Sequence, residues 1–170
     1  MRERELKTES EKQSAGILIM GIGNLLMGDE GLGVHFAHLM EQETLPPRVD
    51  VVEGGTAGFQ LMGFLDSYPH IIMVDATLDG RPAGTIRAIH PRFSSDYPAS
   101  MSTHDIGLKD LISGLNLLGK QPDVHLFVVS VETLQPMHIG LSPEVEAAMP
   151  VLKQQVLDKV RELLDSNQIS

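Results

Sequence analysis

The stretch Gly21-Ile22-Gly23-Asn24-Leu25-Leu26-Met27-Gly28-Asp29-Glu30-Gly31-Leu32-Gly33 decides how this chain is read. Ile17 to Met20 just before it is a short apolar run, and a helical pattern begins at Leu32. The order is therefore strand, tight glycine-rich loop, helix start. A helix N-terminus carries free N–H groups and a partial positive charge that stabilise anions. Here Asp29 and Glu30 already supply the anion, so a nucleotide pyrophosphate would meet like charge. The loop suits a cation or a proton transfer instead.

Outward from this loop, apolar runs alternate with helical patterns, the layout of an α/β sheet covered on both faces. Strands are expected at Gly16 to Met20, Val49 to Glu53, Ile71 to Asp75, Thr85 to Ile89 and His125 to Val131. A helix from Glu30 to Glu43 would place Leu32, Phe36, Leu39 and Met40 on one face. A shorter one is expected near Ala57 to Leu65. A third, Thr103 to Leu118, would turn Leu108, Leu111, Ile112, Leu115 and Leu118 inward, with Ser102 or Thr103 as N-cap. The last begins at Ser142-Pro143-Glu144, an N-cap, a first-turn proline and a dipole-matched acid, and buries Val145, Ala148, Met149, Leu152, Val156 and Leu163. Leu78 to Gly84 is too short for a crossover helix, which predicts antiparallel pairing of the strands at Ile71 and Thr85, the latter at an edge. Ser94 to Ser102 reads as a surface loop. The expected fold is a single-domain α/β three-layer sandwich with a mixed, mostly parallel twisted sheet of about five strands. A flexible extension (1–15) precedes the domain (16–165), and a short tail (166–170) follows it.

Composition narrows the function. The 170 residues, 42% hydrophobic and 21% charged, are enough for one core without staples. With no cysteine, thiol catalysis, Cys-ligated metals and disulfide scaffolds are excluded. A net charge of -10 argues against a nucleic-acid surface. No run approaches the ~18 apolar residues of a membrane span, and the polar N-terminal stretch has no secretory h-region. A cytoplasmic monomer, away from membranes, is expected.

In an open α/β sheet the strands present their C-terminal ends to one crevice, where ligands bind. Glu30 follows the first strand, Asp75 closes the run Ile71-Ile72-Met73-Val74, and His104 opens the third helix. Two carboxylates and an imidazole, with positions left for water or substrate, suit a divalent metal such as nickel or zinc. Each has a plainer reading: Glu30 as a dipole partner, Asp75 as a cap, His104 as a solvent-facing first-turn histidine. The loop glycines can be simple turn and packing residues. His35 and His38 read as surface or groove residues and are the next metal candidates. His70, His90 and His125 flank strands and read as structural. Met62, Met101 and Met137 read as core or groove residues.

The motifs Gly21-x-Gly23-Asn24 with Asp29-Glu30-Gly31-x-Gly33, Gly54-Gly55-Thr56, Val74-Asp75-Ala76 followed by Pro82, Gly84 and Thr85, Ser102-Thr103-His104-x-x-Gly107-Leu108, and His138-Ile139-Gly140-Leu141-Ser142 stand in order along the chain. In this the chain resembles the NiFe-hydrogenase maturation endopeptidases, from Gly16 to about Leu164. The resemblance implies removal of a C-terminal extension from the hydrogenase large-subunit precursor after nickel insertion. It also implies metal contacts at Glu30, Asp75 and His104, with nickel belonging to the substrate and cadmium or zinc able to replace it in vitro. His138 lies in a family motif outside that trio and is expected to be a pocket or cap residue. Glu53 departs from the pattern, since many relatives have Asp there, and a changed capping or positioning contact follows. Two mechanisms stay open: a metal-activated water, or a carboxylate general base with nickel orienting the tail. An aspartic-protease pair and a Gly-x-Ser-x-Gly elbow are both missing. The alternatives are a dinucleotide-binding Rossmann-like protein, with Glu53 as the ribose acid, and a non-catalytic nickel-sensing chaperone of the large subunit. The first lacks the third small residue of the fingerprint.

Overall fold

Ile17–Ile22 (β1) is buried at every position, and His70–Thr77 (β3) and Asp123–Ser130 (β5) are buried at all but their first. Such unbroken apolar runs belong to central strands covered on both faces. The structure, a computed structural model, describes residues 16–55, 63, 67–92, 94–98, 113–114, 116–119, 122–133 and 135–167. With Val49–Gly55 (β2) and Ile86–Ile89 (β4) the strands form one sheet in the order β2-β1-β3-β5-β4. β2, β1, β3 and β5 run parallel; β4 is antiparallel to β5. All five expected strands are present.

The pairing of β4 corrects the sequence reading. It is an edge strand as expected, but its partner is β5 (Ile86 opposite Val129), not β3. Both edges of β3 are taken, by β1 and by β5. The short 78–84 connection therefore steps over β5, held by Gly84 N–H to the Ser130 carbonyl at 2.9 Å and Ser130 N–H to the Thr85 carbonyl at 2.9 Å.

Strand alternation divides the core in two. Ile17, Ile19, Ile72, Val74, Phe127 and Val129 face the helices Leu32–Glu41 (α1) and Pro143–Asn167 (α2). α1 contributes Leu32, Phe36 and Met40, while α2 contributes Val145, Ala148, Met149, Leu152, Val156 and Leu163, the stripe its spacing predicts. Leu18, Met20, Ile71, Met73, Leu126 and Val128 point to the opposite face, where Tyr68 and Tyr97 pack. Within the stretch expected as a surface loop, Ser95 and Asp96 are exposed but Tyr97, following the 3-10 turn Ser94–Asp96, is buried, and 99–102 lie outside the described residues. Leu118 is another correction. It is 70% exposed, because the helix has already ended in a turn closed by Gly119 at φ 73°. The 1–15 extension, nearly all of the 57–65 helix and most of the 103–118 helix lie outside the described residues.

Candidate active site

β1 lies between β2 and β3, so the chain leaves it toward one side and the sheet continues on the other. This is the topological switch point at which open α/β sheets form their ligand crevice. Two acids flank it. Glu30 sits on the 3-10 turn Gly28–Gly31 that follows β1, and Asp75 stands near the C-terminal end of β3, one residue past the Gly21–Val74 register pair. Glu30 is 1% exposed and Asp75 is fully buried. The third expected member, His104, lies outside the described residues.

Close backbone approach sets the position of Glu30. A Cβ on Gly33 would fall 2.1 Å from the Ile22 carbonyl oxygen and 2.6 Å from that of Val74, so α1 enters directly against β1 and β3. Gly23, at φ 151°, abuts the Glu30 carbonyl, where a Cβ would come within 2.1 Å. Only glycine fits these contacts. They press the 3-10 turn down onto the strand ends, and α1 starts at Leu32 rather than at Glu30.

The adjacent acids divide their roles. Asp29 Oδ1 accepts the Ser142 N–H at 2.6 Å, one residue before α2, where a helix dipole favours a negative charge. Ser142 is not the side-chain cap that the sequence suggests. Its hydroxyl makes no hydrogen bond among the described residues, and only its carbonyl serves the helix, accepting from Glu146 N–H at 2.9 Å. Asp29 thus fastens α2 to the loop, and Glu30 beside it stands buried on the turn that follows β1.

His138 acts through its backbone. Its carbonyl accepts from Gly28 N–H at 2.7 Å and its N–H donates to the Leu26 carbonyl at 3.1 Å, while its side chain is exposed. This bridge sets Leu26, Met137 and Ile139, all exposed, beside the turn that bears Glu30. A second opening at the same end of the sheet, about 480 Å³, is lined by Leu78, Gly80, Arg81, Pro82, Val131 and Glu132. Asp79 beside it is held between Arg87 at 2.9 Å and Arg81 at 3.2 Å. Burial pushes its carboxyl up, but the Arg81 N–H and the two guanidinium charges outweigh that and hold it below the usual range. Glu53 pairs with His38 Nε2 at 2.8 Å, a positioning contact on the surface. His35 is partly buried with its Nε2 unbonded among the described residues; burial first, and His38 second, hold its ring below the usual histidine range.

A family model described as hydrogenase maturation protease (HycI) matches residues 34–159. The chain belongs to the hydrogenase maturation protease family. Its relatives include the hydrogenase 2 maturation protease of Escherichia coli K12, 38% identical over 86% of this chain and 91% of that protein. The solved structure of the hydrogenase maturating endopeptidase HybD from E. coli superimposes with a TM-score of 0.80 at 36% identity, covering 86% of this chain and 93% of the other. A hydrogenase 2 maturation peptidase from a Thaumarchaeota archaeon gives 0.68 at 31% identity, covering 85% and 97%. Membership makes the chain a peptidase, and the dinucleotide-binding alternative is not favoured. The fold agrees, since buried Asp29 and Glu30 occupy the helix entry that a pyrophosphate would need.

The sequence reading missed the role of Asp29, for which the signal was available: an acid one residue from a candidate ligand, with a long helix start elsewhere in need of a partner. Asp123 also went unremarked, although His70 opens β3, His90 follows β4, Asp123 opens β5 and His125 lies two residues further along it.

Proposed function

We propose that this peptidase trims the C-terminal extension of a NiFe-hydrogenase large-subunit precursor at the β1/β3 crevice, with Glu30, Asp75 and His104 as the groups that meet the nickel carried by the substrate. The observation that carries this reading is the pair of almost fully buried carboxylates flanking the switch point. Asp75 Oδ1 already accepts the Ala76 N–H at 2.8 Å, and both acids are carboxylates held out of water. Two at one strand-end crevice form an oxygen-rich donor set that suits a divalent cation.

The nickel is substrate, delivered inside the precursor, and its positive charge can polarise the scissile carbonyl. The chain's own residues do the rest. Glu30 and Asp75 orient the incoming centre, and a carboxylate oxygen not bound to the metal accepts a proton from the attacking water and returns it to the leaving amine as the peptide bond breaks. The exposed apolar rim of Leu26, Met137 and Ile139 matches a protein substrate, because such side chains gain by covering a partner's apolar surface. The protein acts as a cytoplasmic monomer in this reading, and no helix among the described residues is long and apolar enough to cross a membrane. A non-catalytic nickel-sensing chaperone would use the same contacts without cleavage.

Mass spectrometry of the precursor, nickel-loaded and nickel-free, after incubation with the protein tests the proposal. Loaded precursor loses its extension and nickel-free precursor stays intact. Equal rates would refute the nickel requirement while leaving the peptidase standing.

A further inference from the structure

At the end of the sheet opposite the active site, three imidazoles converge on one carboxylate. Asp123 opens β5 and lies opposite His70, the first residue of β3, in register. His90 Nε2 is 2.5 Å from Asp123 Oδ1, His125 Nε2 is 2.8 Å from Oδ2, and His70 Nδ1 is 2.9 Å from Oδ2. The His90 and His125 rings stack with centroids 4.3 Å apart and planes 12° from parallel. Two imidazolium rings would repel in that arrangement, so the stack favours neutral rings, the form that binds metals. The ligand atoms of His90, Asp123 and His125 all lie within 4.8 Å of one another. Asp75 is five residues along β3 from His70, about 17 Å at the rise of a strand, so this cluster is separate from the crevice.

We propose that His90, Asp123 and His125 form a second divalent-cation site of the zinc class, with His70 as the outer partner that orients the Asp123 carboxylate. The donor set, two imidazole nitrogens and one carboxylate oxygen, is one that zinc takes. A tetrahedral ion with bonds near 2.0–2.1 Å spaces its ligands by about 3.3 Å, so the present hydrogen bonds need to open by roughly half an ångström or somewhat more. The nitrogens of His90 and His125 that face the carboxylate shift their protons to the other ring nitrogen, leaving lone pairs for the ion with no net proton release. Lys159 lines the same small cavity, of about 130 Å³, and its charge is shared with Glu162 at 2.9 Å, which limits its repulsion of a cation. His70 keeps its hydrogen bond to the carboxylate, the outer-shell arrangement that fixes a ligand's orientation. An ion there ties together the ends of β3, β4 and β5 and leaves the crevice untouched.

The test is calorimetric titration of tag-free, full-length protein with zinc chloride, in a Glu30→Gln/Asp75→Asn background that disables the crevice carboxylates. One zinc per chain is expected. His90→Ala and Asp123→Asn should each weaken it by about tenfold or more, and X-ray absorption should show a sulfur-free shell at about 2.0–2.1 Å. His90 is about half exposed, so its removal leaves the fold in place. If the double variant fails to fold, the wild-type protein is titrated against His90→Ala, and one of its zinc affinities falls by about tenfold or more in the variant. Absence of binding, or binding unchanged by both substitutions, overturns the proposal.

Discussion

Replacing Gly33 by alanine tests how the fold delivers Glu30. The new methyl would lie 2.1 Å from the Ile22 carbonyl oxygen, 2.5 Å from the Ile22 nitrogen and 2.6 Å from the Val74 carbonyl oxygen. All three are backbone atoms of β1 and β3, so no side chain can swing away. Reaching even 3.0 Å requires α1 to withdraw by at least 0.9 Å from Ile22, taking the 3-10 turn and Glu30 with it. Overpacking of this kind costs about 1–3 kcal/mol, and for a protein of this size each kcal/mol lowers Tm by about 2–4 °C. A displacement near 1 Å at a reacting group costs on the order of a hundredfold in rate. Gly33→Ala should therefore fold, melt roughly 2–12 °C lower by calorimetry, and cleave precursor about a hundredfold more slowly well below its Tm. A variant with wild-type Tm and rate would refute the close-approach argument.

The neighbouring acids should separate cleanly. Asp29→Ala removes the acceptor for Ser142 N–H and should cost about 0.5–2 kcal/mol in chemical denaturation, with cleavage retained at temperatures where the variant is folded; lost cleavage at unchanged stability would reverse the assigned roles. Acid should unfold the protein partly through Asp123. Burial opposes its ionisation, but hydrogen bonds from His90, His70 and His125 outweigh this and hold its carboxyl at about 2, against a usual 3.8. Below 3.8 the unfolded chain binds the proton first, so this stabilisation is present above that pH and is lost as pH falls toward 2. Denaturation midpoints of wild type and Asp123→Asn should converge across that window, and a pH-independent difference would contradict it. His125, lowered mainly by burial, adds a separate loss that begins as pH drops below 6.5, because the unfolded ring is protonated first.

The central strands were legible because β1, β3 and β5 are continuous apolar runs that can only be buried on both faces. The stripe of α2 and the strand–loop–helix at Gly21 to Gly33 followed from periodicity and glycine placement in the same way. Partner choice for β4 was not legible. A short connector suggests a hairpin, and nothing in its residues reports that β5, arriving some 35 positions later, takes the free edge of β3. Glu30 and Asp75 could be read from strand ends, whereas the work of Asp29 depends on Ser142, 113 residues away. The convergence of His70, His90 and His125 on Asp123 was hidden for the same reason: register across three strands brings together residues that sequence leaves apart.

The most direct test of the crevice assignment is single-turnover cleavage of nickel-loaded precursor, followed by intact-mass spectrometry, with Glu30→Gln, Asp75→Asn and His104→Ala beside wild type. Far-UV circular dichroism on the same samples checks the fold. The account predicts native spectra and precursor that keeps its full mass with each variant, while wild type removes the extension. Near-wild-type cleavage by any two of the three would contradict it and move the chemistry away from the β1/β3 crevice.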